Sequence, residues 1–408
     1  MNHKFLVAQL GARRHYAIPR MLYEAGLLDQ FHTDICAVKG WPYYLHLTPK
    51  ILQPAGLRRL LGRCPQVVPR ERIIAQTSLG WSYARARSKA NGVNQRTVVD
   101  IDYGKKFCKG ILKTGFGCAT ATYSFNSASL ELMKEAKKEG LKTVYEQTIA
   151  PRAVERMIMS QAAHQFPEWK EVVAEGAAVD EFIAREEEEW QYADLILCGS
   201  EFVRDGIAQR GGPLEKCVVV PYGVDTCFNV KRKIRKPGPL RILTVGEVGL
   251  RKGAPLVWEA ARRLGAKADF RMVGTFTLQR DRVIKFPDNL LLTGVVPRSE
   301  IVEHYKWADV FLLPSLCEGS AVVTYEALLA GLPVICTPNT GSLVVDGVNG
   351  RVVDAFSSKA ITEALLEWIE NPELLGRCCE GVAKNNKQLN LEAYRKRLLT
   401  QLTTLKLI

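Results

Sequence analysis

The sequence has neither a Cys-x2-Cys pair nor a long apolar run. Its 11 cysteines are odd in number and scattered, without a Cys-x2-Cys pair, which argues against a zinc site and a disulfide framework. No apolar run approaches the roughly 18 residues that a membrane-spanning helix needs. The first apolar run, Phe5–Leu10, is too short for the core of a signal peptide and is followed by a glycine turn. These absences favour a cytoplasmic protein with reduced thiols.

Two ligand-binding motifs are also missing. No Gly-x-Gly-x-x-Gly follows the predicted strands that begin at Phe5 and Arg241, which disfavours a nicotinamide-dependent oxidoreductase. An Asp-x-Asp motif of the metal-binding kind occurs only at Asp100–Asp102, at the end of a predicted strand in the first half of the chain. We attribute that match to chance and expect neither a metal ion nor a cofactor.

Acidic residues are scarce in the first third of the chain. Residues 1–120 contain 19 Lys and Arg but only 6 Asp and Glu, so the whole net charge of +13 belongs to this part. A field of one sign points to an anionic partner, which can be a membrane surface, an acidic glycan, a lipid pyrophosphate or nucleic acid. A solvated basic face is the alternative. We favour a membrane surface and expect no nucleic-acid binding.

A chain of 408 residues is too long for one ordinary core and predicts two domains of about 200 residues each. Short apolar runs alternate with helical patterns in both halves, which is typical of parallel α/β sheets. The charged stretch that ends in Pro237, Gly238 and Pro239 is typical of a linker. We place the domains at residues 1–230 and 240–390, the linker at 231–239 and a terminal helix at 391–408.

The pattern predicts individual elements in both halves. In the first half we expect the strands Phe5–Leu10, Thr97–Asp102, Thr143–Glu146 and Ala193–Cys198, and the helices Pro19–Gly26, Ser129–Glu139 and Val179–Trp190. In the second half we expect the strands Arg241–Val245, Phe270–Gly274, Leu290–Gly294, Val310–Leu313 and Val334–Cys336, and the helices Ala254–Leu264 and Ser299–Trp307.

Residues 40–69 depart from the alternation of strands and helices. Leu57, Leu60 and Leu61 lie beside three arginines and form a short basic amphipathic stretch; the arginines are Arg58, Arg59 and Arg63. Such a stretch can lie in a lipid interface or can pack on the core as an inserted helix, and the sequence leaves both interpretations open.

The stretch Phe311–Ala330 combines a buried strand, a short glycine loop and a helix. This order aims backbone N–H groups and the positive end of the helix dipole at a ligand, and a phosphate suits that position. Glu318 lies in the loop and Glu326 about two turns into the helix. Carboxylates there can accept hydrogen bonds from hydroxyl groups, as they do from ribose in dinucleotide folds. A ligand that is part phosphate and part sugar is therefore predicted, although two solvated carboxylates would give the same spacing.

A second glycine loop, Gly246–Gly253, follows the predicted strand Arg241–Val245 and contains Arg251 and Lys252. Arginine offers a flat fork of donors and lysine a compact charge, so the pair suits a pyrophosphate. A solvated basic turn is the alternative.

These two loops resemble the Glu-x7-Glu signature and the Gly-Arg…Lys-Gly motif of retaining GT-B glycosyltransferases of the family 4 type, also called glycosyl transferases group 1. The resemblance covers Arg241–Asp354 and, more faintly, the whole chain, and Val218–Asp225 looks like the interdomain junction of that family. One position departs from the pattern, because Glu247 stands where many members have arginine.

The resemblance implies a GT-B fold, in which two Rossmann-like domains face each other across a cleft. It also implies transfer of a hexosyl group from a UDP- or GDP-linked donor to a glycan or lipid-linked acceptor in polysaccharide biosynthesis, with retention and without metal or cofactor. Arg251 and Lys252 would neutralise the leaving diphosphate, Glu318 would engage the donor sugar, and Glu326 would hold the ribose. The other implied donor-binding residues are Gly246, Gly319, Ser320 and Ala321.

The acceptor side is expected in the first domain. Gly11, Arg13, Arg14 and His15 follow the first predicted strand, at the edge where a doubly wound sheet binds ligands. They can contact an acceptor or can be ordinary surface charges. Many relatives carry a histidine nearby, but none can be aligned here; Glu146 and His164 lie in no convincing motif.

Two other functions remain open on the sequence. One is a non-catalytic Rossmann-like module that binds an anionic glycan or a membrane, and the other is the oxidoreductase disfavoured above. For the transferase we expect a cytoplasmic location, with the basic first third against the inner membrane face where lipid-linked glycans are built.

Overall fold

The computed structural model describes residues 3–230, 238–276 and 285–404. Within these ranges the chain forms two α/β domains, each built on one parallel sheet, as the alternating pattern predicts. Residues 231–237 of the predicted linker and 405–408 of the predicted terminal helix lie outside the described residues.

The N-terminal sheet has the strand order β3-β2-β1-β4-β5-β6-β7. Its strands are β1 Phe5–Gln9, β2 Leu28–Thr33, β3 Ile73–Ala75, β4 Ala121–Phe125, β5 Lys142–Gln147, β6 Leu195–Cys198 and β7 Cys217–Val219. The helices of this domain are α1 Ala17–Glu24, α2 Ala55–Leu61, α3 Thr77–Lys89, α4 Gly92–Leu112, α5 Leu130–Lys138, α6 Arg152–Gln165, α7 Ala177–Tyr192 and α8 Glu201–Gln209.

The C-terminal sheet has the strand order β10-β9-β8-β11-β12-β13. Its strands are β8 Leu240–Val245, β9 Ala268–Val273, β10 Leu290–Gly294, β11 Val310–Leu313, β12 Val334–Cys336 and β13 Gly350–Val352. The helices are α9 Ala254–Leu264, α10 Arg298–Trp307, α11 Val322–Leu329, α12 Ser358–Glu370, α13 Pro372–Asn385 and α14 Leu391–Thr404.

The strand order of each sheet positions the ligand-binding edge. The order reverses between β1 and β4 in the first sheet and between β8 and β11 in the second. Open α/β sheets bind ligands beyond the carboxyl ends of the strands at such a reversal. β1 and β11 are buried along their whole length. Helices cover both faces of a parallel sheet, and its central strands are therefore almost entirely apolar. The loops after β1, β8 and β11 are therefore the expected site-forming segments.

Helix α14 returns to the N-terminal domain. The ring of Tyr394 packs edge to face on Tyr222, with centroids 5.7 Å apart. Arg397 donates hydrogen bonds to the carbonyl oxygens of Pro221, at 3.0 Å, and Tyr222, at 2.9 Å. These contacts join α14 to the segment that follows β7.

The predicted strand Thr97–Asp102 is wrong, because these residues lie inside α4. The buried positions of α4 include Thr97, Ile101, Gly104, Cys108 and Ile111, which recur every three or four residues as on one face of a helix. Consecutive β-branched residues favour a strand locally, but burial of this face against the domain decides the outcome. In the part of the chain that the structure describes, no helix is long and apolar enough to cross a bilayer.

Candidate active site

The two predicted donor loops lie side by side because β8 pairs with β11. The backbone N–H of Leu316 donates to the carbonyl oxygen of Arg251 at 2.9 Å, which joins the loops directly. Gly253 has a φ of +72°, and a Cβ atom there would lie 2.0 Å from the carbonyl oxygen of Pro314. Only glycine fits this approach, so the spacing of Arg251 and Lys252 from β11 depends on it.

Glu318 lies between the two basic residues. Its Oε1 atom is 2.6 Å from Nη1 of Arg251 and 2.7 Å from Nζ of Lys252. Glu318 and Lys252 are each only 9% exposed, so the three charges form a compact, partly desolvated cluster. Here one carboxylate faces two cations, so that the cations have donors to offer to an incoming anion.

Burial and the neighbouring charges change the proton affinities of the two cations. Burial lowers the pKa of Lys252, and the positive charge of Arg251 lowers it further, although Glu318 opposes both effects. Burial also tends to lower the pKa of Arg251, but Glu318 outweighs it, so that this pKa is raised. Lys252 is therefore the cation of the pair whose charge is more sensitive to pH.

The remaining residues of the β8 loop pack around the lysine. A Cβ atom at Gly246 would lie 3.1 Å from the Cε atom of Lys252, so the glycine borders the lysine stem. Glu247 is exposed, and its negative charge raises the pKa of both Arg251 and Lys252. Glu247 is thus near the basic pair, although arginine is common at this position in the family that the loop resembles.

The loop between β11 and α11 is anchored on both sides. The Ala321 N–H donates to the carbonyl oxygen of Thr340 at 3.1 Å, so this predicted phosphate donor is engaged within the protein. The Ser320 hydroxyl lies 2.7 Å from the Tyr325 hydroxyl. A Cβ atom at Gly319 would lie 2.0 Å from the carbonyl oxygen of Thr148, which brings this loop against the N-terminal domain.

Glu326 lies on α11 and is only 7% exposed. The Tyr305 hydroxyl donates to its Oε2 atom at 2.9 Å. Burial raises the pKa of Glu326, while the hydrogen bond from Tyr305 and the positive charge of Arg298 oppose that shift. A buried carboxylate with one fixed donor is a good acceptor for a further hydroxyl group.

The four predicted acceptor-side residues occupy a tight turn between β1 and α1. Arg14, His15 and Tyr16 have φ values of 45°, 50° and 62°, three consecutive left-handed residues without a glycine. Such backbone persists only where surrounding contacts hold it. Asp34 accepts the Gly11 N–H at 3.1 Å and belongs to those contacts.

The side chains of this turn differ in accessibility. Arg13 donates to the Thr148 hydroxyl at 2.7 Å, and Arg14 donates to Glu146 at 2.7 Å. His15 is exposed, and its Nε2 atom accepts a hydrogen bond from Arg298 of the C-terminal domain at 2.7 Å. Burial and the Arg298 charge both lower the pKa of His15. Of the four residues, His15 is thus the best placed to contact a ligand.

Two residues that the sequence did not indicate as ligands join the halves of the site. Thr148 contacts Arg13 through its hydroxyl and Gly319 through its carbonyl group, and the Ser200 hydroxyl donates to the Gly319 carbonyl oxygen. Ser200 also caps α8 by accepting the Val203 N–H. Thr148 directly follows β5, which ends at Gln147, and a position after a strand end is the signal that marks it. His164 is exposed near the end of α6.

The described residues contain no group of three or more His, Cys, Asp or Glu side chains arranged to hold a metal ion. Asp100 and Asp102 lie on α4, where Asp100 accepts from the Tyr83 hydroxyl at 2.7 Å and Asp102 pairs with Lys106 at 2.6 Å. The interpretation of Asp100–Asp102 as a chance match stays a prediction.

Comparisons with known proteins show which sequences and folds this chain is similar to. Residues 228–385 match the family model described as Glycosyl transferases group 1. The chain is 29% identical over 231 residues to the putative colanic acid biosynthesis glycosyltransferase WcaL of Salmonella typhimurium, covering 52% of this chain and 57% of that protein. It is 30% identical over 190 residues to the amylovoran biosynthesis glycosyltransferase AmsK of Erwinia amylovora, covering 42% and 47%. The chain thus spans about half the length of the curated relatives that it matches.

A solved structure extends the similarity to both domains. Anabaena Alr3699/HepE in complex with UDP and glucose has a TM-score of 0.62 at 13% identity, covering 99% of this chain and 100% of that chain. This likeness concerns the fold, and with the two parallel sheets it confirms the predicted GT-B architecture. Residues 228–385 are therefore similar to the Glycosyl transferases group 1 family, and the chain as a whole has a GT-B fold.

Proposed function

We propose that the protein is a glycosyltransferase that moves a hexosyl group from a nucleotide-diphosphate sugar to a glycan or lipid-linked acceptor. The observation that carries the proposal is the contact of Arg251 and Lys252 with one carboxylate, Glu318, at the carboxyl edge of the second sheet. The similarity to relatives named as colanic acid and amylovoran biosynthesis glycosyltransferases supports it. A UDP- or GDP-linked donor is part of the proposal.

Charge stabilisation is the chemistry that this cluster can supply. When the bond between the anomeric carbon and the diphosphate oxygen breaks, its electron pair leaves with the diphosphate, whose negative charge grows. Arg251 and Lys252 can exchange part of their contact with Glu318 for contact with the diphosphate, and fixed cations stabilise developing charge more than they stabilise the bound substrate. Glu318 is then left free to accept hydrogen bonds from the donor sugar.

Glu326 suits the ribose of the donor. It is buried on the helix that starts beside the diphosphate position, and Tyr305 fixes its Oε2 atom. A carboxylate held in this way discriminates in favour of a ligand that brings a hydroxyl group, because a ligand without that group leaves a buried acceptor unpaired.

We place the acceptor on the side of the Gly11–His15 turn. His15 and Arg298 meet there across the two domains. Thr148 contacts both Arg13 of the turn and Gly319 of the donor loop. An acceptor hydroxyl bound beside His15 would thus approach the donor loop. Retention of the anomeric configuration and independence of metal rest on the family resemblance and belong to the proposal.

A thermal-shift series with nucleoside diphosphates tests the donor site, since a ligand that binds only the native state raises the melting temperature. We expect UDP or GDP to raise it by several degrees in the wild type and by much less in Arg251→Ala/Lys252→Ala. Release of the diphosphate from UDP- and GDP-sugars, in the presence of a chelator, then tests transfer. Stabilisation by NADH alone, or equal stabilisation of the double variant, would contradict the proposal.

A further inference from the structure

A second surface of the N-terminal domain lies outside the cleft chemistry described above. The segment between β2 and α3, together with the first turns of α3, exposes many large apolar side chains, namely Trp41, Tyr43, Tyr44, Leu47, Ile51, Leu52, Val67 and Trp81. Three of them, Leu47, Ile51 and Leu52, are 82%, 92% and 66% exposed; we call these three the apolar tip. Clusters of this kind mark interaction sites on proteins that otherwise cover their apolar residues.

Short turns present the apolar tip. Leu47 ends a 3₁₀ turn that begins at Trp41, and Ile51 and Leu52 lie in the next turn, Lys50–Leu52. Three exposed aromatic residues, Trp41, Tyr43 and Tyr44, belong to the first of these turns. The ring of Trp41 packs edge to face on that of Trp81, with centroids 5.5 Å apart. Tryptophan and tyrosine are the residues that collect at the boundary between lipid and water.

The segment that carries the tip is strongly basic. Between residues 38 and 90 the sequence holds ten Lys and Arg and a single acidic residue, Glu71. Several of the arginines are exposed in the structure; they are Arg58, Arg59, Arg70, Arg72, Arg85 and Arg87. Arg72 pairs with Asp29 at 3.5 Å and Arg87 with Asp100 at 3.1 Å, and the other four add to the positive charge of the surface. A protein partner would need an equally one-sided acidic surface around an apolar centre, whereas an anionic bilayer offers both features at once.

The most exposed apolar residues of this segment are not the leucines that the sequence suggested for a lipid contact. Leu57, Leu60 and Leu61 are half-buried on α2, which contacts the Trp41–Leu47 turn. The amphipathic helix therefore supports the turns in front of it, and both sequence interpretations of its leucines stay predictions. The exposed part of the segment is the apolar tip.

We propose that this surface docks on an anionic lipid bilayer. The apolar tip lies at the boundary between headgroups and acyl chains, and the surrounding arginines contact the headgroups. Arginine carries a fixed charge and can bind phosphate with two donors. The apolar tip adds an attraction that salt does not screen. The arginines add an electrostatic attraction that weakens as salt rises, because salt shortens the Debye length.

The docked surface is tied to the acceptor side of the cleft, so this inference rests in part on the proposed function. Arg63, directly after α2, donates to both carboxylate oxygens of Asp34 at 3.0 and 2.9 Å. The Gly11 N–H donates to the same carboxylate at 3.1 Å. Asp34 thus connects the docking segment to the turn beside which we place the acceptor, and a lipid-linked acceptor would be offered to the cleft from the bilayer.

Co-sedimentation of the full chain with vesicles tests the docking. Vesicles of phosphatidylcholine alone are compared with vesicles containing phosphatidylglycerol, over a salt series. We expect binding to the anionic vesicles at low salt and release as salt rises. The variant Leu47→Ser/Ile51→Ser/Leu52→Ser should bind at least tenfold more weakly, and Arg58→Gln/Arg59→Gln should release at lower salt than the wild type.

A matched control replaces exposed apolar residues elsewhere, Val172, Leu291 and Val295, which are 67%, 54% and 73% exposed. The variant Val172→Ser/Leu291→Ser/Val295→Ser should bind vesicles like the wild type. No binding at any salt, or equal binding by the tip variant, would overturn the docking surface. A dimer in solution that the tip variant abolishes would make the surface a contact between copies and would also overturn it.

Nucleotide-induced stabilisation of the tip variant separates the two proposals. If the tip variant loses vesicle binding and keeps the wild-type shift with UDP or GDP, the docking surface is supported independently of the donor site. If the wild type shows vesicle binding but no nucleotide shift, the docking stands and the proposed function fails.

Discussion

Arg14 and Glu146 form a buried ion pair at the base of the acceptor-side turn. Side-chain exposures of 13% and 2% leave both groups largely without water. The hydroxyls of Tyr123 and Tyr222 donate to the same carboxylate at 2.6 and 2.9 Å, and the Arg14 guanidinium lies 3.9 Å from the centre of the Tyr222 ring. Burial alone would lower the pKa of Arg14, but Glu146 and the tyrosines raise it above its ordinary value, so the arginine stays charged.

Loss of the Glu146 charge should destabilise the protein strongly. Glu146→Gln leaves Arg14 buried without its partner, and breaking a buried pair costs about 3–5 kcal/mol of unfolding free energy. Glu188, whose pair with Lys134 is exposed, provides the control, since Glu188→Gln should cost under about 1 kcal/mol. Urea denaturation of both variants is the measurement, and equal small losses would contradict the importance of the buried pair.

Removal of a cation from the donor loop should reduce turnover more than donor binding. Arg251→Ala and Lys252→Ala should each lower kcat by about 10²–10³-fold, the usual effect of losing one group that stabilises developing charge, with a smaller change in the KM for the donor. Steady-state kinetics with a nucleotide sugar provide the test. Arg262, an exposed arginine of the same domain, is the control, and Arg262→Ala should leave both constants unchanged. Equal changes in kcat and KM would indicate a role in ground-state binding only.

The depressed pKa of Lys252 predicts an alkaline limit to activity. Because burial lowers this pKa below its ordinary value, the lysine loses its proton, and the clamp its charge, earlier as pH rises than an exposed lysine would. The pH profile of kcat/KM reports the free enzyme, so its alkaline limb should fall below the ordinary lysine pKa. In Lys252→Arg the cation persists to higher pH, and the limb should move upward. An unchanged limb would assign the titration to another group.

The ribose contact should depend on Glu326. Wild-type enzyme should prefer ribonucleotide over 2′-deoxyribonucleotide donors, because a missing hydroxyl leaves a buried acceptor unpaired. In Glu326→Ala the ratio of the two kcat/KM values should approach one. Glu303, exposed on the neighbouring α10, is the control position. Retained discrimination in Glu326→Ala would place the ribose elsewhere.

Several elements of the second domain could be predicted closely from the local sequence pattern. The bounds of β10, β11, β12 and α9 agree with the predicted Leu290–Gly294, Val310–Leu313, Val334–Cys336 and Ala254–Leu264. For β11 and β12 the reason is that each is a fully buried, continuous apolar run. Arg251, Lys252 and Glu318 also meet as expected, since the carboxyl ends of neighbouring parallel strands share one edge. Their roles in binding and catalysis stay predictions.

The pairings of buried charges do not follow from local pattern. Glu186 and Glu189 belong to an acidic run on α7 that predicts an amphipathic helix, yet both are buried. Burial raises the pKa of Glu186 to about 7 although Gln147 donates to it, and Glu189 accepts from the Tyr145 hydroxyl at 2.9 Å. The partners lie about 40 residues away in sequence, and only the packing of α7 on the sheet brings them together. The left-handed turn at Arg14–Tyr16 escaped prediction for the same reason, since long-range contacts hold it.

The return of the chain to the N-terminal domain limits how the cleft can open. Val224, before the chain enters the second domain, pairs with Asn390, at the point of return, and its N–H donates to the Leu389 carbonyl oxygen at 2.8 Å. We expect this pairing to restrict opening of the cleft to rotation about the line through Val224 and Asn390, because sliding of one domain along the other would break the pairing. Two distances between pairs of labels on opposite domains should then change together as the cleft opens.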